Sequence, residues 1–179
     1  MFSQRGQESA PFEVLIAVIL MGFVIVVGLQ AIQVLNKTSC EGNITKNIVD
    51  IKTGIETVVK NKSKVNISYE RSSCFPENET TLEIKSRDDQ IFCSSICGGS
   101  LSQCTVLIFS SPTFSDVRCL SISSATTFPE GGQCNPDLLG GNFEVVTWTD
   151  KPIEPGTYTL IKQSNLFSDT PIVCVFKKV

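Results

Sequence analysis

Residues 14–29, VLIAVILMGFVIVVGL, are drawn only from Val, Leu, Ile, Ala, Met, Phe and Gly. As a helix this run spans about 24 Å, slightly less than a ~30 Å hydrocarbon core. Continuing through Leu35 brings it to about 33 Å. The segment is apolar on every side, so it has no solvated face. Lipid or other helices must cover it. Everything beyond residue 36 must therefore build its core from the remaining chain.

The charges before the run are unusual. Glu8 and Glu13 precede it, and Arg5 is the sole cationic side chain there. A cleaved secretory signal would carry a basic leader and a small-x-small cleavage site. Here the carboxylates oppose Arg5, and no Ala-x-Ala site follows Leu29. A simple signal anchor is the second reading, with Arg5 and the start amine marking the cytoplasmic side.

A third reading rests on the stretch RGQESAPFEVLIAVILMG, residues 5–22. It resembles the class III signal of type IV pilins, especially archaeal ones. That resemblance rests on Arg5, Gly6, Gln7, Ser9 and Glu13 ahead of an uncut apolar helix. It implies that a prepilin peptidase cuts between Gly6 and Gln7 and removes residues 1–6 as a leader. The family's glutamate usually lies at the fifth mature position, whereas Glu13 would be the seventh. Ala10-Pro11 reads as a spacer, and Glu8 is the other candidate for the glutamate role.

Chemistry gives such a carboxylate a purpose. Beside lipid it is costly unless paired. Cleavage would expose a new α-amine at Gln7, which a neighbouring subunit's Glu13 could meet as an assembly register. The positive end of the helix dipole favours the carboxylate locally. Pro11 suits a first helical turn, and Ser9 an N-cap.

Past a polar break at residues 36–42, Ile44, Ile48, Ile51, Ile55 and Val58 recur at steps of four and three. That spacing predicts an amphipathic helix with one apolar stripe. Lys46, Asp50, Lys52, Glu56 and Lys60 lie on its other face. Gly42 is expected to kink or interrupt the two helical halves. From residue 65 short β-branched runs predict strands at 65–70, 81–85, 90–94, 105–110, 118–123, 143–149, 157–162 and 171–176. Gly- and Pro-rich turns separate them, which argues for a sandwich or a strongly curved sheet. Residues 124–142 form a long Gly/Pro/Thr-rich connection that Cys134 would fasten.

The predicted fold is α+β: a long N-terminal hydrophobic helix followed by a disulfide-rich antiparallel β head. Its expected domains are a leader at 1–6, a helical stalk at 7–62 and a head at 63–179. The stalk has an apolar part at 12–35 and an amphipathic part at 43–61.

Eight cysteines, Cys40, Cys74, Cys93, Cys97, Cys104, Cys119, Cys134 and Cys174, all follow the apolar segment. Structural disulfides in an oxidising compartment are the simplest account, with the pairing left open. Five sequons, at Asn36, Asn43, Asn61, Asn66 and Asn78, point to the same exported surface.

Catalytic signals are sparse. The chain has no histidine, so the commonest general base and metal ligand are missing. Cys93 and Cys97 are separated by three residues rather than the two of an oxidoreductase motif. No hydrolase motif, phosphate loop or zinc spacing occurs, and Asp88-Asp89 reads as a solvated turn. The net charge of −3 offers no basic patch for nucleic acid.

The expectation is therefore a non-enzymatic pilin-like subunit with neither cofactor nor metal. Its precursor would sit in the cytoplasmic membrane and its mature form in an extracellular helical homopolymer, for adhesion or surface attachment. By resemblance, its partners would be the prepilin peptidase, an assembly ATPase and a polytopic platform membrane protein. The alternative is a single-pass anchored extracellular binding domain that never polymerises.

Overall fold

The computed structural model describes residues 10–61, 64–71, 74–76, 79–123, 125–129, 133–135, 139–140, 142–165 and 168–178. The chain divides into two compact units, Met1–Cys40 and Glu41–Val179. Its first element is one helix, α1, Ala10–Asn61. The predicted break at 36–42 is not there. Gly42 is the residue of that stretch that opposes helix most, at about 1 kcal/mol relative to Ala, and a Cβ on it would meet nothing within 4 Å, so it marks no close approach that would turn the chain.

Within the second unit, the predicted stripe of α1 is the core. Ile48, Ile51, Ile55 and Val58 are 0 % exposed and Ile44 4 %. They face a four-stranded antiparallel sheet with strand order β1-β6-β7-β5. Its strands are β1 (Val65–Tyr69), β5 (Phe143–Val146), β6 (Gly156–Asn165) and β7 (Ser168–Lys178). The register sets Ile67 opposite Tyr158, Val65 opposite Leu160, and Leu160 opposite Val175. These side chains share the face against α1, as cross-strand partners must. Side-chain bonds fasten this part of the helix to the rest of the second unit. Lys162 Nζ donates to the Val59 carbonyl at 2.7 Å, Asn47 Nδ2 to the Glu70 carbonyl at 3.1 Å, and Ser121 N–H to Glu56 Oε1 at 2.7 Å.

The opposite face of this sheet carries Ile172, Cys174 and Phe176, with Ile161, Val145 and Phe143 packed around them. Cys134 and Leu139 of the long connection cover it. Every β7 residue from Ile172 to Phe176 is consequently buried. Buried on both faces, β7 reads as a continuous apolar run rather than an alternating one.

A second antiparallel sheet has the order β2-β3-β4: β2 (Thr81–Arg87), β3 (Cys104–Ser110) and β4 (Ser115–Leu120). Residues 90–94, expected as a strand, instead open a helix, α2 (Gln90–Cys97). The Asp89 carboxylate caps it by accepting the Phe92 N–H at 3.0 Å. The predicted strand at 118–123 lies three residues earlier in the structure, because β4 pairs Ser115 with Ser110 directly across the 111–114 turn. That turn is closed by Ser111, whose N–H and hydroxyl both donate to the Phe114 carbonyl, at 2.9 and 2.7 Å.

Two side chains test this packing. A Cβ placed on Gly54 of α1 would lie 2.5 Å from Ile67 Cγ2. Elsewhere in a helix, Gly→Ala stabilises by up to ~1 kcal/mol. Here Gly54→Ala is expected to do the reverse and lower the denaturation midpoint by about 1–3 kcal/mol, since helix and strand must part. Chemical denaturation of the detergent-solubilised chain measures the sign.

Tyr158, 1 % exposed, donates its hydroxyl to the Glu154 carbonyl at 2.5 Å. Burial, followed by the charges of Glu154 and Tyr69, pushes its pKa up from 10.0 to about 12. The folded state thus favours the neutral phenol. Its contribution is complete below pH 10 and disappears as pH rises through about 12. Alkaline unfolding curves of wild type and Tyr158→Phe should therefore converge between those values, with a Tyr-specific loss on the order of 2 kcal/mol.

Candidate assembly and membrane interface

The N-terminal part of α1 buries nothing within the chain. Phe12, Met21 and Phe23 are 67 %, 70 % and 67 % exposed, and even the most covered large apolar residue of the run, Val27, is 45 % exposed. A candidate membrane span begins at Phe12, and it is long and apolar enough to cross a bilayer. A Cβ on Gly22 or Gly28 would meet nothing within 4 Å, so neither glycine serves a close approach inside the chain. Glu13 lies in the first turn of α1. There its carboxylate complements the helix N-terminus. Gly6, Gln7 and Glu8 lie outside the described residues, as does the sequon at Asn78.

The other sequons are placed. Asn36, Asn43 and Asn61 are exposed on α1, and Asn66 is exposed on the edge strand β1. Asn66 Oδ1 accepts a hydrogen bond from the Thr159 hydroxyl at 2.9 Å. That bond orients the amide.

None of the eight cysteines is a free thiol. Cys93 pairs with Cys104, Cys97 with Cys119, and Cys134 with Cys174. Cys40 and Cys74 are disulfide-bonded as well. Cys93 and Cys97, four apart, share one face of α2 and tie it to β3 and β4. Cys134–Cys174 fastens the long connection onto the centre of the four-stranded sheet. Pairing could not be read from the sequence, although the i, i+4 spacing after a capping Asp was a legible helix signal. Asp88 and Asp89 precede α2, and Asp89 is its cap. Among the described residues no group of three or more His, Cys, Asp or Glu side chains could hold a metal ion.

No family model, curated protein or solved structure matches this chain.

The apolar face generates a direct test. A charge at the middle of a spanning segment costs about 2.5–3.5 kcal/mol on insertion scales. Val24→Asp is expected to move a large fraction of the chain from the carbonate-resistant membrane pellet to the soluble or aggregated fraction. The disulfide-bonded β unit should retain the wild-type unfolding midpoint, because Val24 is 67 % exposed and belongs to the other compact unit.

Proposed function

We propose that this chain is a structural subunit of an extracellular type IV pilus-like filament, held first in the membrane and then in a bundle by the N-terminal part of α1. The observation that carries the reading is that the large apolar residues from Phe12 to Leu35 are all exposed. Lipid and a bundle of parallel helices are the two environments that cover such a surface, and assembly exchanges one for the other. The disulfide-bonded cysteines and the exposed sequons support a head outside the cytoplasm. The resemblance around Arg5–Gly6–Gln7 supplies the processing step and the expected partners: the peptidase, the assembly ATPase and the platform protein. The subunit itself performs no catalysis, and its use is adhesion or surface attachment.

Intact mass and N-terminal sequencing of the protein from its native membrane test this reading. The expected mature chain begins at Gln7, and shearing the cells releases filaments visible by electron microscopy. A chain that begins at Met1 and yields no filaments is a single-pass anchored domain. Alanine variants then assign the register carboxylate: Glu13→Ala is expected to be cleaved normally yet to yield filaments at least tenfold fewer. Normal assembly by both Glu13→Ala and Glu8→Ala removes the register role from either residue.

A further inference from the structure

The two sheets have four edge strands, and a bare edge is a template for pairing with another chain. Charge, proline or a covering segment are the usual guards. β2 is covered on its outer side: the Ile153 N–H donates to the Leu82 carbonyl at 2.6 Å, and Thr149 and Pro152 bridge to Ile84 and Glu83. β4 carries Asp116 and Arg118, paired at 2.8 Å. β5 has Glu144 among its four residues. β1 is the exception. Lys64 and Glu70 flank it, but its own sequence, VNISY, holds neither a charge nor a proline and is rich in strand formers. An open groove of about 520 Å³ is lined by α1 from Lys46 to Thr57 and by successive β1 residues from Val65 to Ser68. Because it touches residues of both strand faces, the groove follows the outer edge of β1.

At the centre of this edge stands a glycosylation acceptor, Asn66-Ile67-Ser68. Val65 and Ile67 turn toward Gly54 of α1, so Asn66 and Ser68 turn to the other face, and both are exposed. Asn66 lies opposite Thr159 of β6, and its Oδ1 accepts the Thr159 hydroxyl at 2.9 Å. The bond draws Oδ1 inward toward β6. The amide is planar, so Nδ2 is turned outward, to the open edge. A sugar on Nδ2 leaves Oδ1 able to keep its bond. A strand added to β1 would run about 4.8 Å outside it. Its side chain opposite Asn66 would have a Cβ about 5 Å from that of Asn66. A sugar ring on Nδ2 takes that place.

From this we infer that Asn66 carries an N-linked oligosaccharide, and that this oligosaccharide guards the β1 edge and keeps neighbouring heads from pairing strand to strand. The donor class is a lipid-phosphate-linked oligosaccharide. The transfer forms a bond from Nδ2 to the anomeric carbon and breaks that carbon's bond to the phosphate oxygen. It releases the lipid phosphate and one Nδ2 proton. The sequons at Asn36, Asn43 and Asn61 lie on α1, so sugars there leave the edge bare. The inference rests on the export that the filament reading includes, and not on polymerisation. It holds equally for a head that polymerises and for one that does not.

Trypsin cuts after Lys64 and Arg71 and so isolates residues 65–71, VNISYER, in which Asn66 is the sole asparagine. Mass spectrometry of this peptide, from the full chain purified out of its native membrane, should show it raised by the mass of an oligosaccharide, with fragments that place the sugar on Asn66. A peptide found mainly at its bare mass overturns the inference. Ser68→Ala then removes the acceptor while sparing the Asn66–Thr159 bond. In detergent, sedimentation velocity over a concentration series should show this full-length variant associating about tenfold or more strongly than the wild type. Ser68→Lys removes the acceptor equally but sets a charge on the edge, and it should sediment as the wild type does. Ser68→Ala that sediments like the wild type overturns the guarding role, as does Ser68→Lys that associates like Ser68→Ala. A mature chain that begins at Met1 changes none of these outcomes, so this inference and the filament reading fail separately.

Discussion

One helix must satisfy two solvents, and the rest of the molecule follows from that. Residues 14–29 of α1 are apolar all round, while from Ile44 onward the same helix narrows to a single stripe. The stripe can be covered by one sheet face, and it is: Ile48, Ile51, Ile55 and Val58 have no exposed surface. Burying each such side chain contributes about 1.5–3 kcal/mol before ordering costs. The all-round segment cannot be covered by any single sheet, so it is left to lipid or to other helices. Gly54, with Ile67 Cγ2 only 2.5 Å from where its Cβ would be, marks how closely helix and strand approach in the covered part.

That contact also explains how the β unit is layered. A helix on one face of the four-stranded sheet leaves the other face open, and a sheet of that width needs both covered when its central strand is apolar throughout. The described residues of the cover, Cys134 and Leu139, belong to no named helix or strand and so supply no stripe. A disulfide, Cys134–Cys174, takes the place of that stripe by fixing one point at the sheet centre, around which Leu139, Phe143 and Ile161 gather. Cross-links of this kind stabilise by roughly 2–4 kcal/mol, mostly by restricting the unfolded chain. The same device holds α2, whose eight residues are far too few to be stable alone.

These features differ in how far the sequence discloses them. The stripe from Ile44 to Val58 is legible because its period is long, regular and faces one partner. Most strands from residue 65 onward are legible from β-branched runs between turns. Helix continuity through residues 36–42 is not legible from composition, because polar residues and one glycine mark a break only where the chain gains by turning. Residues 90–94 mislead because Ile, Phe and Cys favour strands, whereas the Asp89 cap and two cysteines four apart favour helix. Strand propensity is a preference for a pleated, half-buried surface, and tertiary cross-links outweighed it.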